Sequence, residues 1–162
     1  MRKIADYQLT KNFRLYEFIE AQMPDEAIAL NWKYFDPANI VRWELLALEL
    51  EKMRKLINDN FKSDLNFPEI GIRIAAGYRC IEWELIRKRS GQSQHTICAA
   101  DIQPVRCSRE QAVKILHFVF SKYSEYWNGG LALKSPSKQG NILLIGFLHI
   151  DTRGKRARWT YD

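Results

Sequence analysis

Two stretches of this chain each place an imidazole near a carboxylate. The first is Gln92-Ser93-Gln94-His95-Thr96-Ile97-Cys98-Ala99-Ala100-Asp101-Ile102, and the second is Gly146-Phe147-Leu148-His149-Ile150-Asp151. A zinc ion that catalyses hydrolysis commonly takes three protein ligands, imidazoles and a carboxylate among them, and keeps a fourth position for water. His95, Asp101 and His149 would supply that set. His149 and Asp151, two residues apart, face the same side of an extended strand. His95 and Asp101 would stand roughly 20 Å apart on a straight strand, too far to share an ion. The chain must therefore turn at residues 96–98.

The elements that position these groups can be read from periodicity. Leu15, Phe18, Ile19 and Gln22 follow helical spacing over residues 15–23, with Thr10 or Asn12 as cap. Residues 28–35 are apolar and aromatic without a clear period and read as a loop with room for a short helix. Asp36-Pro37 opens a helix that runs to Phe61, since a carboxylate caps well and proline lacks only an N–H that would be unpaired there. Its stripe of Ile40, Trp43, Leu46, Leu50, Met53, Ile57 and Phe61 predicts the main buried helix. Residues 70–76 alternate as a strand, and Gly77-Tyr78-Arg79 turns the chain. A helix over residues 80–89 is expected, with Ile81, Leu85 and Ile86 inward, closed at Ser90-Gly91-Gln92.

Residues 99–105 read as a buried strand ended by Pro104. Ser108-Arg109-Glu110-Gln111 is a capping box for a helix to Tyr123, with Val113, Leu116, Phe120 and Tyr123 inward. His117 in that helix has no second ligand one turn away and reads as a structural or surface residue. Trp127-Asn128-Gly129-Gly130 is a turn, residues 131–133 a strand and 134–140 a polar loop. Residues 141–151 read as one last long strand, Leu144, Leu148 and Ile150 packing inward and His149 and Asp151 facing the site. The basic, aromatic tail from Thr152 is expected to fold Trp159 back onto the body.

At 162 residues and 19.1 kDa the chain fits one domain that can bury its own core without disulfides. Three cysteines, Cys80, Cys98 and Cys107, show no disulfide pattern and suit a reducing compartment. The start, Met1-Arg2-Lys3-Ile4-Ala5-Asp6, lacks the apolar core of a signal peptide, and no stretch reaches the roughly 18 apolar residues of a membrane helix. Synthesis in the cytoplasm without membrane insertion is expected. The net charge of +6 predicts attraction to polyanions, from nucleic acid to bacterial wall polymers. No nucleic-acid-binding motif accompanies it, so no specific nucleic-acid partner is expected.

Four motifs in order resemble one family. Leu9-Thr10-x-Asn12-Phe13 with Glu17-Phe18, then Ala76-Gly77-Tyr78-Arg79, then Ser93-x-His95 with Ala99-Ala100-Asp101, then His149-x-Asp151-Thr152-Arg153-Gly154-x-Arg156-Ala157-Arg158-Trp159 look like the zinc D-alanyl-D-alanine carboxypeptidase family of peptidoglycan peptidases, peptidase family M15, especially its small phage and bacterial members. The resemblance spans nearly the whole chain. It implies a single α+β domain, 1–162, of the hedgehog/D-Ala-D-Ala-peptidase type, in which an antiparallel sheet carries a zinc site on one face and helices cover the other. It implies Zn2+ on His95, Asp101 and His149. Arg79 would face substrate and stabilise the oxyanion, the other reading being a surface arginine on backbone carbonyls. Ser93 would contact substrate or shape its loop. Asp151 would be the general base or a partner orienting an imidazole, because Gly146 stands where some branches carry an acidic residue.

The implied partners are peptidoglycan stem peptides, cleaved by a monomeric carboxypeptidase or endopeptidase such as an endolysin. It would act at the wall or periplasm once released, or as part of a virion. One departure bears on the site. The family reads His-x-x-Gly-x-Ala-x-Asp, whereas this chain reads His95-Thr96-Ile97-Cys98-Ala99-Ala100-Asp101, one residue shorter and without the glycine. Glycine serves where a turn needs positive φ, so here the turn must be rebuilt or the carboxylate displaced. Cys98 is then a thiolate ligand or a small buried residue. The alternative function is an inactive protein of the same fold that binds walls or builds phage particles.

Overall fold

The structure, a computed structural model, describes residues 4, 6–140 and 142–161. In chain order it holds helices α1 (Leu15–Ile19), α2 (Asp25–Tyr34) and α3 (Ile40–Asn60), strand β1 (Gly71–Ala76) and helix α4 (Ile81–Ile86). Strand β2 (Ala99–Val105), helix α5 (Arg109–Tyr126) and strands β3 (Gly130–Lys134), β4 (Ser137–Gln139), β5 (Ile142–Leu144), β6 (Phe147–Asp151) and β7 (Ala157–Tyr161) follow. Five strands form one sheet in the order β1-β2-β6-β3-β7, and β4 and β5 form a separate hairpin. All neighbours in the large sheet are antiparallel except β3 and β7, which run parallel. The architecture is thus the expected α+β, with a sheet that is antiparallel apart from the β3–β7 pair.

Strand side chains alternate between faces, and here one face packs against helices while the other carries the polar residues. Ala100, Ile102, Leu131, Leu133, Leu148 and Ile150 belong to one buried core with Trp43, Leu46, Leu50, Met53 and Ile57 of α3. Asp36 Oδ1 accepts the Ala38 N–H at 2.9 Å and starts a short 3-10 turn that leads into α3, as its Asp-Pro start predicts. Ser108 Oγ likewise accepts the Gln111 N–H at 3.2 Å and caps α5. The buried face of α5 is Ala112, Ile115, Leu116, Val119 and Tyr123, rotated by about one position from the expected stripe.

Four local expectations are corrected. Residues 28–34 lie in α2, with Phe35 at its C-cap; its buried Asn31 is bonded to other segments and leaves no visible apolar period. Neither Thr10 nor Asn12 caps α1; both donate to Glu51 of α3 instead. Helix α4 is shorter than residues 80–89 and turned the other way: Ile81, Leu85 and Ile86 are exposed and Glu84 is buried between two arginines. Residues 141–151 do not form one strand, because Gly146 adopts φ +75° and splits β5 from β6. A Cβ there would lie 2.1 Å from the Lys134 carbonyl oxygen, so glycine is required twice over.

Trp159 does fold back, as part of β7 at the sheet edge. Among the described residues no helix is long and apolar enough to cross a membrane. The core assignment has a direct test in urea denaturation. Leu50→Ala, at a fully buried position, is expected to cost about 2–5 kcal/mol. Leu85→Gln, on the exposed face of α4, is expected to cost roughly 0.5 kcal/mol or less.

Candidate metal centre

The sheet register builds the site. Asp101 of β2 pairs with His149 of β6, His149 pairs with Ala132 of β3, and Ala132 pairs with Trp159 of β7. Residues paired across neighbouring strands share a face, so an acid, an imidazole, a methyl group and an indole form one row. The small Ala132 leaves room for the His149 and Trp159 rings to approach to 5.2 Å between centroids.

His95 reaches this row from the loop before β2. Ser93 shapes that loop: its Oγ accepts the His95 N–H at 3.2 Å, and its carbonyl accepts the Thr96 hydroxyl at 2.7 Å. Gln94–Thr96 forms a 3-10 turn, and Cys98 N–H donates back to the Gln94 carbonyl at 3.0 Å before β2 begins. The positive-φ residues of the described chain all lie outside this segment apart from Gly91 just before it. The shortened loop therefore needs no glycine, and it delivers Asp101 to the site undisplaced.

His95 Nε2 lies 3.3 Å from Asp101 Oδ1, and His149 Nδ1 lies 2.8 Å from the same oxygen. One ligand atom from each of the three residues falls within 4.8 Å of the others, so the group could hold a metal ion. The two separations to Asp101 lie just under the roughly 3.4 Å edge of a tetrahedron whose corners are about 2.1 Å from a zinc-sized ion. Both rings are held from behind. His95 Nδ1 lies 2.6 Å from the Gly77 carbonyl oxygen, and His149 Nε2 lies 3.1 Å from Asp151 Oδ2. Without an ion, His149 Nδ1 donates to Asp101 Oδ1; a bound cation would take the place of that proton, the far nitrogens donating and His95 Nε2 and His149 Nδ1 turning their lone pairs to it, which is how imidazole ligands are ordinarily oriented. Gly77 has a steric reason to be glycine: a Cβ would lie 2.0 Å from the Phe18 carbonyl oxygen, which accepts the Tyr78 N–H at 2.8 Å.

Asp151 is fully buried and saturated. Oδ1 accepts from the Gly130 N–H at 3.0 Å and the Arg153 N–H at 3.1 Å, while the Arg153 guanidinium grips both oxygens at 2.6–3.0 Å. A general base needs an oxygen open to water, and Asp151 has none. Of its two roles left open by the sequence, position matches the orienting partner. Burial would raise both carboxyls, but hydrogen bonds from His149 and His95 hold Asp101 below the usual range, and bonds from His149, Arg153 and Gly130 do the same for Asp151. Burial would lower His149, yet its bonds to the two carboxylates raise it.

The site opens into a cleft of about 480 Å³. Arg79, Ser93, Arg153 and Trp159 border it with the three candidate ligands, and among the described residues Asp101 is the one carboxylate that lines it. Arg79 is mostly buried; its Nε lies 3.2 Å from Glu84 Oε1 and its Nη2 donates to Ser93 Oγ at 3.4 Å. It is therefore not a surface arginine resting on backbone carbonyls. Its turn is fixed by Asn31, whose Nδ2 donates to the Ile19 and Tyr78 carbonyls at 2.9 Å and whose Oδ1 accepts the Cys80 N–H at 2.9 Å. Sequence reasoning missed Asn31 and Glu84, since nothing in a sequence marks a polar residue whose partners lie in other segments.

Cys98 is buried in the core, its thiol donating to the Arg42 carbonyl at 3.4 Å, and burial pushes that thiol up to about 12. It stands outside the metal group, as a small core residue. His117 is exposed on α5. Compared with family models, curated proteins and solved structures, the chain finds no match.

Two outcomes follow from this geometry. Asp151→Asn is expected to weaken divalent-metal affinity by about 10–100-fold, as losing an orienting partner does, read by competition with a chromogenic chelator while circular dichroism confirms folding. In the metal-free protein, the two depressed carboxyls contribute stability above their unfolded value near 4 and lose it as pH falls below that. The raised His149 contributes below its unfolded value near 6.5 and loses that contribution as pH rises through its folded value. Thermal melts of metal-free protein should thus peak between about pH 4 and 6.5; a midpoint still climbing at about pH 8 would contradict this.

Proposed function

We propose that this protein is a zinc-dependent peptidoglycan peptidase that cleaves wall stem peptides, on a hedgehog/D-Ala-D-Ala-peptidase-like fold of the M15 kind. The observation that carries the reading is the convergence of His95 Nε2, Asp101 Oδ1 and His149 Nδ1 at the base of a cleft, with each ring fixed by a bond to its far nitrogen. Two imidazoles and a carboxylate are a hydrolytic zinc donor set. The motif order along the chain supports the family.

Zinc bound there supplies a Lewis acid that polarises a carbonyl and lowers the pKa of water. The chain's own residues do the rest. Asp151 and the Gly77 carbonyl hold the two rings in the ligating tautomers. Arg79, braced by Glu84, presents a guanidinium to the cleft and stabilises the negative charge that develops on the substrate carbonyl oxygen. Ser93 builds the His95 turn and accepts from Arg79, so it positions both groups. The protein works as a monomer at the wall or periplasm, or within a virion.

A second reading is favoured by one observation: among the described residues no carboxylate other than Asp101 borders the cleft to take a proton from water. On that reading the fold is inactive and binds walls or builds phage particles. Metal analysis combined with mass spectrometry of digested peptidoglycan separates the two. The peptidase should carry about one zinc per chain and release new peptide ends, and His149→Ala should lower the rate at least about 100-fold. Fully zinc-loaded protein that grips walls but releases nothing would select the inactive form, and protein that takes up no zinc would reject both metal-based accounts.

A further inference from the structure

A second concavity adjoins the metal cleft. It measures about 600 Å³ and shares Gln94 and Arg153 with the cleft, so the two lie side by side. Its distinctive walls are Arg42 at the start of α3, Lys155 in the β6–β7 turn, and two exposed apolar side chains, Leu45 and Ile97. Among the described residues no carboxylate borders it.

The basic tail of the chain supplies several cations, and most are used inside the protein. Arg153 is clamped on Asp151 and stacks over Trp159 at 5.1 Å. Arg156 donates to the Ser124 carbonyl, and Arg158 donates to the carbonyls of Gly129 and Ala157 at 2.6 and 2.8 Å. Lys155 and Arg42 differ, for neither side chain has an ion-pair partner among the described residues. A separate, smaller pocket on the far side of Arg42 holds Asp36, which makes no ion pair with Arg42 and accepts instead from the Ala38 N–H and Asn39 Nδ2. Two uncompensated cations on one groove wall focus field on whatever occupies it, and the apolar Leu45 and Ile97 beside them suit aliphatic side chains.

From this juxtaposition we infer that the groove is an anion subsite of the peptidase: Arg42 and Lys155 bind a free carboxylate carried by the substrate peptide away from the bond at the metal, while Leu45 and Ile97 pack against its aliphatic part. The inference rests on the peptidase reading for the identity of the ligand, and it adds what that reading lacks, a basis for choosing between acidic and amidated wall peptides. A polyanion such as nucleic acid fits less well, because the cations line a short, partly apolar groove contiguous with the cleft and form no extended stripe.

The probes are two stem peptides identical except that one internal carboxylate is free in the first and a carboxamide in the second. Binding to zinc-loaded protein is measured by titration calorimetry, with cleavage followed in the same samples by mass spectrometry. The free acid should bind at least about tenfold tighter than the amide, and the ratio should shrink as salt screens the groove. In the double variant Arg42→Gln/Lys155→Gln the ratio should fall to within about twofold. The double variant Lys114→Gln/Lys122→Gln, which removes equal charge from the exposed side of α5, should keep it. Equal binding of the two peptides by the unaltered protein, binding of neither, a ratio that survives loss of Arg42 and Lys155, or a ratio lost equally in the α5 variant would each overturn the inference, as would short polyphosphate displacing the free acid completely. Selective binding without cleavage would uphold the subsite and count against the peptidase reading alone.

Discussion

Asp101 Oδ1 is the atom on which the site depends: it lies within hydrogen-bonding range of His149 Nδ1 and 3.3 Å from His95 Nε2. It is there because β2 and β6 pair with residue 101 opposite residue 149. A one-residue slip of that pairing would turn every side chain of one strand to the other face, sending Leu148 and Ile150 into the cleft and His149 into the core. The core forbids the slip, since both apolar residues are fully buried beneath the helices. Hydrophobic packing on one face of the sheet thus sets the chemistry on the other.

Holding several ionisable groups in a largely water-excluded place is costly unless each is paired. Here every member has a partner on its far side. Arg153 and backbone N–H groups satisfy Asp151, Asp151 and the Gly77 carbonyl orient the rings, and Glu84 balances Arg79 and Arg89. The pattern is directional, with the partners behind and one ligand atom from each of three residues left converging on one point. Structural ion pairs rarely need such an arrangement, whereas a cation site does. Trp159 and Ala132 complete the wall, one supplying bulk and the other the space for it.

The chemistry-bearing residues were legible because their types are few. Three histidines are present in the chain, and two of them lie near carboxylates at spacings a strand or tight turn can use. The long stripe of α3 and the capping serine of α5 were legible for the same reason, each being a local signal repeated over several turns. What failed was short or non-local. The six residues of α4 span too few turns to reveal a face, and Glu84 turns inward for arginines five residues away on either side. Helix α2 buries an asparagine whose partners are backbone groups of α1 and the Arg79 turn. The missing glycine before Asp101 looked like a defect only because a left-handed turn was assumed, and a 3-10 turn capped by Ser93 serves instead. Both roles for Asp151 place it on the same face as His149, so only the distances and burial could separate them.

The central claim is that His95, Asp101 and His149, without Cys98, form the inner sphere of a zinc ion. X-ray absorption at the zinc edge of the loaded protein tests it most directly. The account expects two imidazole nitrogens and one or two oxygens at about 2.0–2.2 Å, unchanged in Cys98→Ser. A sulfur scatterer near 2.3 Å, or an inner sphere lacking imidazole, would contradict it.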